Sequence, residues 1–311
     1  MKVRALVSSL LLVSMSMGAL GARLQQFAAS PQLLKPPLPL TPSEIEIYKG
    51  AQSLIDWTPR QIHDCPFLRQ VRPTGSQGQL PKVLERVGQT VTLLYQDFPR
   101  IACDEDIFSK AYHRKSVHHK FRYIVMLRPV DGVPGFEEYR TDLKGNPLDA
   151  SSLSGLSVMF SNYTSNCLYF SPADLRDNRF RHFGMQRIRQ RECHVVGFAQ
   201  EPERVRRVGT FLYQGKTAAM LFQGLAWIDS QTFQLLRIKT WLLAPRGDIG
   251  MNSQTSTVDF YPVQPSGSGR VLWLPRDVTA EVVYLGMEVR NTHRYSNFKL
   301  FRVETTIKPE G

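Results

Sequence analysis

Long apolar runs are scarce in this chain, and the longest, residues 5–17, is shorter than the roughly 20 residues that a membrane-spanning helix needs. Lys2 and Arg4 precede this run, and small residues follow it in the stretch 18–22. A charged, an apolar and a small-residue region in that order are typical of a secretory signal peptide. We therefore predict that residues 1–22 are a signal peptide and that the remaining chain is soluble and exported, either periplasmic or secreted.

Cysteine is also sparse. The chain contains Cys65, Cys103, Cys167 and Cys193, and none of them lies at the predicted cleavage site, so we expect no lipid anchor. Their spacing matches neither a Cys-x-x-Cys motif nor a paired zinc motif. Outside the cytoplasm they can form disulfides, and pairing Cys65 with Cys103 and Cys167 with Cys193 closes the shortest loops. Four free thiols are the alternative.

Local catalytic signatures are missing as well, including the Gly-x-Ser-x-Gly elbow of many hydrolases. The segment 215–217 reads Gly-Lys-Thr, but five residues separate it from Gly209, whereas a phosphate-binding loop has four. We predict a hairpin turn there, no catalytic residues and no cofactor. A hydrolase remains a less favoured alternative, because catalytic residues assemble in space rather than along the chain.

Three histidines lie close together near a run of acidic residues, which raises the question of a metal site. His118 and His119 are neighbours, so in a strand they point to opposite faces and cannot both bind one metal ion. His113 and the acids of residues 104–106 do not complete a helical two-histidine spacing. We predict no metal site.

Acidic residues are fewer than basic ones, 27 against 39, which gives a net charge of +12. An exported basic protein meets anionic lipid, cell-wall polymers or acidic proteins before nucleic acid, so we predict no nucleic-acid partner. Arginine residues are most frequent in residues 176–207. The guanidinium group of arginine binds phosphate and carboxylate groups through paired hydrogen bonds. A solvated sheet edge protected by charge is the alternative. The predicted docking residues for an envelope protein or an anionic membrane are Arg187, Arg189, Arg191, Arg204, Arg206 and Arg207.

The first part of the predicted mature chain contains little regular structure. Prolines recur in residues 31–39 and forbid a helix or strand there. Thr41–Glu44 is a helix-start pattern, and we expect that short helix to end before Pro59. A second linker follows at residues 72–81. We therefore assign residues 23–80 to a proline-rich arm with a short helix and a linker.

A longer helix is predicted over residues 81–98, where apolar side chains recur every three or four positions. From about residue 119 the apolar period changes to two, which predicts strands. The further predicted strands are residues 137–142, 180–187, 192–199, 208–213, 217–228, 236–242, 255–262, 271–284, 287–295 and 298–306. Short turns join most of them, and short turns imply antiparallel neighbours.

About ten antiparallel strands after a helix predict a mainly β (α+β) domain over residues 81–311, because a flat open sheet of that size is rare. We expect a curved, unclosed half-barrel with one or two N-terminal helices packing on it. The helix 81–98 can cover either the concave or the convex face. Apolar cavities bind apolar ligands. The residues predicted to line the concave face are Val125, Leu127, Phe222, Ile238, Leu242 and Tyr284.

The C-terminal half resembles a known superfamily. Residues 224–229, Gly-Leu-Ala-Trp-Ile-Asp, and residues 236–238, Leu-Arg-Ile, resemble a hairpin that recurs in the LolA/LolB/RseB-like superfamily of extracytoplasmic proteins. Residues 273–275 and 293–298 look like later strands of uncharacterised exported members. The resemblance covers residues 81–306. It implies an unclosed antiparallel half-barrel with helices over its concave side that binds acyl chains, lipoproteins or partner proteins.

These observations favour a non-catalytic periplasmic binding protein whose concave face holds a hydrophobic ligand, a lipid or the acyl chain of a lipoprotein. A module for envelope protein interaction or stress sensing is the alternative, with the arginine-rich segment as its contact surface. The chain departs from the superfamily in carrying a proline-rich arm and an additional helix before the domain.

Overall fold

The computed structural model describes residues 40–97, 100–127, 136–149, 152–160, 163–213 and 216–300. The predicted signal peptide and the proline-rich stretch lie outside these residues. Within the described part of the chain, no helix is both long enough and apolar enough to cross a membrane.

Three α-helices precede most of the strands. Helix α1 (Pro42–Lys49) begins at a capping box in which Thr41 and Glu44 bond each other's backbone. The predicted helix start is confirmed, but the helix ends at Lys49, and a 3-10 turn (Leu54–Asp56) separates it from helix α2 (Pro59–Asp64). Helix α3 (Leu80–Asp97) corresponds to the predicted amphipathic helix.

Thirteen strands are found in the described residues. They are β1 (Arg72–Pro73), β2 (Arg100–Ala111), β3 (Val117–Leu127), β4 (Phe136–Thr141), β5 (Asn178–Ile188), β6 (Arg191–Gln200), β7 (Gly209–Tyr213), β8 (Lys216–Met220), β9 (Phe222–Asp229), β10 (Leu235–Leu242), β11 (Met251–Val263), β12 (Leu272–Tyr284) and β13 (Met287–Leu300).

Eleven of these strands form one antiparallel sheet in the order β1-β5-β6-β9-β10-β11-β12-β13-β2-β3-β4. The two edge strands, β1 and β4, do not pair with each other, so the sheet is an unclosed half-barrel, as predicted. The order departs from a simple meander at three places, β1–β5, β6–β9 and β13–β2, and the last of these pairs the C-terminal strand with β2. This pairing places β4 at one edge and β5 next to the other.

Several details of the strand prediction differ from the structure. Residues 287–295 and 298–306 were predicted as two strands, but β13 is continuous over Met287–Leu300, and residues 301–306 lie outside the described residues. Residues 217–228 were predicted as one strand, but Leu221 separates β8, which pairs with β7 in a hairpin outside the main sheet, from β9. Strand β2 was not among the predicted strands, because the acidic residues 104–106 interrupt the apolar alternation that indicates a strand. In the structure, Cys103 and Glu105 face the interior, and Asp104 between them faces outward.

Helix α3 covers the concave face. Its buried residues Val83, Val87 and Val91 share one apolar cluster with Val196 of β6 and Val125 of β3. These strands lie near opposite edges of the sheet, so the face on which their side chains meet under one helix is the concave one. Each such buried side chain contributes roughly 1.5–3 kcal/mol to folding.

The opposite, outer face is covered near one edge by residues 40–71. Tyr48, Leu54 and Leu68 form a second cluster there with Val195 of β6 and Leu225 of β9. The Tyr48 hydroxyl donates to the backbone oxygen of Ala219 at 3.4 Å and accepts from the backbone nitrogen of Leu221 at 3.1 Å. The segment preceding the predicted half-barrel domain therefore packs on the sheet.

Candidate functional site

A cavity of about 220 Å³ lies within the concave side of the half-barrel. Phe160 and Tyr169 form one wall, Phe211 of β7 forms another, and Phe222 and Val282 belong to the sheet that forms the floor. Aromatic and aliphatic side chains supply about half of the lining residues, which suits an apolar group of a ligand on those sides.

The same cavity carries polar side chains on its floor and at one wall. Thr240 and Ser256 lie side by side on β10 and β11, and their hydroxyl oxygens are 2.7 Å apart. At the wall, Arg207 Nη2 lies 3.6 Å from Asp174 Oδ2. Burial raises the pKa of Asp174, and the neighbouring arginines act in the opposite direction. The site is thus amphipathic: apolar rings surround groups that can hydrogen-bond or bind charge.

One wall of the cavity is independent of the main sheet. The β7–β8 hairpin pairs only with itself among the described strands, and an isolated hairpin is marginally stable in water. Phe211 makes an edge-to-face contact with Tyr284, with ring centroids 5.1 Å apart, and Ala219 of β8 bonds Tyr48, Glu44 and Arg246. The cavity is smaller than the roughly 300–1,000 Å³ of typical small-molecule sites.

The six apolar residues predicted to line the concave face all lie on that face. Val125, Ile238, Leu242 and Tyr284 belong to the cluster beneath α3, and Leu127 and Phe222 pack against it. Of the six, Phe222 alone lines the cavity. The other five fill the interior, and their role in binding a ligand stays a prediction.

A buried polar network lies at the other end of the concave face, and the sequence reasoning missed it. Glu105 is 1% exposed and accepts hydrogen bonds from Arg140 Nε at 2.5 Å and Tyr295 Oη at 2.8 Å. His293 Nδ1 lies 2.9 Å from the same carboxylate, and its Nε2 lies 3.2 Å from Tyr163 Oη. Burial alone would raise the pKa of Glu105, but Arg140 and His293 lower it to about 2.

A carboxylate, an imidazole and a hydroxyl in series raise the question of catalysis. Burial raises the pKa of Tyr163 well above its ordinary range, so its hydroxyl stays protonated and is a poor nucleophile. Glu105 and His293 do not line the cavity. The network has a structural role instead.

That role is to hold one wall of the cavity. Arg140 Nη2 donates to the backbone oxygen of Phe160 at 3.1 Å, and Asn291 Nδ2 donates to that of Val158 at 2.8 Å. Both acceptors belong to the cavity wall, and Tyr163 of the same wall bonds His293. The network therefore fixes the segment that covers the cavity.

The six arginines predicted to form a docking surface lie in two groups at opposite ends of β6. Arg187, Arg189 and Arg191 flank the β5–β6 turn, and Arg204, Arg206 and Arg207 follow the far end of the strand.

Several of these arginines bind groups of the same chain. Arg189 donates to the backbone oxygen of Phe260 at 2.8 Å, and Arg191 pairs with Asp229 at 2.5 Å. Arg206 pairs with buried Asp177 at 3.0 Å. Arg187 and Arg204 are exposed. A docking role for the six residues stays a prediction.

The four cysteines are free thiols, each buried. Cys103 and Cys167 belong to the concave cluster, whereas Cys65 and Cys193 belong to the outer cluster. The shortest-loop pairing would therefore join thiols from opposite faces of the sheet. Burial raises the pKa of Cys167 and of Cys193 to about 12, so both are inert at neutral pH.

The described residues contain no group of three or more side chains suited to hold a metal ion. His118 pairs with Asp106, and His119 Nε2 lies 3.1 Å from the backbone oxygen of Ser154. These two neighbouring histidines therefore contact different partners.

Comparison with known proteins gives neighbours by structure alone. No family model matches the chain, and no curated protein matches it. A DUF1329 family protein from Desulfovibrio piger is 12% identical, with a TM-score of 0.41 over 70% of this chain and 92% of that chain. A LolA superfamily protein from Nitrosomonas europaea is 11% identical, with a TM-score of 0.34 over 72% of this chain and 94% of that chain.

A third solved structure is a domain from Vibrio parahaemolyticus named for outer membrane lipoprotein sorting. It is 12% identical, with a TM-score of 0.38 over 74% of this chain and 95% of that chain. The names of the second and third structures refer to the superfamily that the hairpin motif at residues 224–238 resembles.

Proposed function

We propose that this chain is a non-catalytic, exported binding protein that holds a hydrophobic ligand, a lipid or the acyl chain of a lipoprotein, in the concave side of its half-barrel. The observation that carries the proposal is the cavity between Phe160, Phe211 and Phe222. It is lined by rings on several sides, and polar side chains supply about half of its lining residues.

The physical basis is the burial of apolar surface. Each methylene removed from water contributes about 0.8 kcal/mol, so partial insertion of an acyl chain is already favourable. The polar side chains Thr240, Ser256 and Arg207 offer partners to the ester, amide or head group of such a ligand. Displacement of the β7–β8 hairpin would extend the cavity for a longer chain.

The direct test is displacement of a fluorescent fatty acid from the purified protein by unlabelled palmitate. Thr240→Phe places a ring in the cavity, and we expect it to weaken binding at least tenfold. Thr279→Phe is the matched control, because Thr279 lies on β12 between Val278 and Ala280, which face the concave cluster, and so points to the outer face.

Both variants must keep the melting temperature of the parent chain within a few degrees for the comparison to count. Equal loss of binding in the two variants, or no loss in either, would rule out the cavity as the binding site. Mass spectrometry of protein isolated from a bacterial envelope supplies a second test, since the proposal requires a copurifying acyl-chain compound.

A further inference from the structure

A second open space lies on the outer face, separate from the concave cavity. It measures about 570 Å³ and lies between the end of α2, the residues that follow it and the neighbouring ends of β10 and β11. This volume falls within the range of about 300–1,000 Å³ that small-molecule sites occupy. We call this space the outer groove.

Three aromatic side chains line the outer groove. The rings of Trp57 and Trp241 stack with centroids 6.3 Å apart and an angle of 26° between their planes. Phe67 lies 6.5 Å from Trp241, and 45% of its surface is exposed. A large ring held open to solvent beside two tryptophans is a surface that favours contact with an apolar body.

Lys239 supplies a positive charge in the same groove. Its Nζ lies 4.2 Å from the centroid of the Phe67 ring and 3.4 Å from Thr257 Oγ1. No carboxylate among the described residues forms a salt bridge with it. Burial lowers the pKa of Lys239, and the more distant Glu281 acts in the opposite direction.

The other charged residue of the groove does not neutralise this lysine. Asp64 also lines the space, but its carboxylate pairs with Arg60 at 3.9 Å and is largely exposed. The groove therefore combines an incompletely hydrated cation with aromatic walls. A partly buried charge without a charged partner is unfavourable, and an anionic ligand relieves that cost.

We propose that the outer groove binds a small carboxylate that carries an apolar ring or a short chain. The carboxylate pairs with Lys239, and the apolar body lies against Trp57, Phe67 and Trp241. This site differs from the acyl-chain site proposed above, because Trp57, Phe67, Lys239 and Trp241 line only the outer groove, although Gln254 lines both spaces.

The test compares two probes of the same shape and opposite charge, 4-phenylbutyrate and 4-phenylbutylamine. Tryptophan fluorescence reports binding directly, because two of the four tryptophans of the chain line the groove. We expect saturable binding of phenylbutyrate, at least tenfold weaker binding of the amine, and a similar loss of phenylbutyrate affinity in Lys239→Met. Lys239→Arg keeps the charge and should retain affinity within about threefold.

Thr240→Phe separates this proposal from the preceding one, because it blocks the concave cavity and leaves the outer groove intact. Loss of phenylbutyrate binding in Thr240→Phe with none in Lys239→Met would assign the probe to the concave cavity and overturn the proposal. Equal affinity for the two probes, or no saturable binding at all, would also overturn it. Phe67→Ser, at an exposed position, gives a second variant should Lys239→Met fail to fold.

Discussion

The two ends of the concave face accommodate their polar side chains in different ways. At the end formed by β2, β4 and β13, the side chains of Arg140, His293 and Tyr295 each contact the buried carboxylate of Glu105. At the end formed by β9 to β12, the polar pair of Thr240 and Ser256 faces an open cavity. The interior is thus closed at one end and open at the other.

The difference indicates how a curled sheet can keep a cavity without collapsing. The wall that covers the open end is held from the closed end, through the backbone oxygens of Phe160 and Val158 and the hydroxyl of Tyr163. The buried charges therefore support the cavity without forming part of its chemistry. Substitutions in the network should therefore lower the stability of the protein and of this wall. Substitutions of cavity-lining residues should mainly lower the affinity for a ligand.

The largest effect is expected at Arg140. Arg140→Met leaves the Glu105 carboxylate buried without its cation, so we expect a loss of about 3–5 kcal/mol in the free energy of unfolding, measured with urea. Arg122→Met is the control. Arg122 pairs with Asp104 at 2.9 Å on the outer side of the same strands, where both side chains are 30% exposed, and its loss should cost below about 1 kcal/mol. Similar losses in the two variants would contradict the account.

Lowering the pH should reduce the stability that the Glu105 network contributes to the folded protein. The pKa of Glu105 is about 2 in the folded protein and 4.5 ordinarily, so its contribution is complete above pH 4.5 and is lost as the pH falls towards 2. The contribution amounts to about 3 kcal/mol. Unfolding free energies measured across this range should fall more steeply in the parent chain than in Glu105→Gln. Parallel curves would show that Glu105 is not the titrating group.

A smaller effect is expected at the cavity end, from Arg206. Its Nε lies 3.0 Å from Oδ1 of Asp177, which is 1% exposed, so Arg206→Gln should cost about 1–3 kcal/mol in urea unfolding. Arg204→Gln removes an exposed arginine two residues earlier and should change stability by no more than about 0.5 kcal/mol. If the two substitutions cost the same, the pairing of Arg206 with Asp177 is not a stabilising contact.

Much of the architecture was predictable because local patterns encode it. The stripe of Val87 and Val91 specified a helix, and alternation such as that of Phe121 and Tyr123 specified strands. Strand β2 was missed because Glu105 occupies an inward position that an apolar residue usually fills. Its partners Arg140 and His293 lie 35 and 188 residues away, and no local pattern reveals such pairing.

The candidate site was only partly predictable for a related reason. Ile238, Thr240 and Leu242 share one face of β10, and the threonine interrupts an otherwise apolar row. That polar residue in a core-facing row was the available signal for the cavity. Most of the apolar residues predicted from the alternation are packed in the core. Alternation identifies which side chains face inward, but it does not show where the packed core ends and the cavity begins.

The central claim is that the concave cavity receives an acyl chain, and methyl NMR tests it most directly. Val282 lines the cavity, whereas Val278, four residues earlier on β12, is buried on the same face and does not line it. On titration of valine-labelled protein with palmitate, we predict saturable shifts of the Val282 methyl signals and smaller changes at Val278. Unchanged Val282 signals at saturating palmitate, or shifts confined to valines of the outer face such as Val195, would contradict the account.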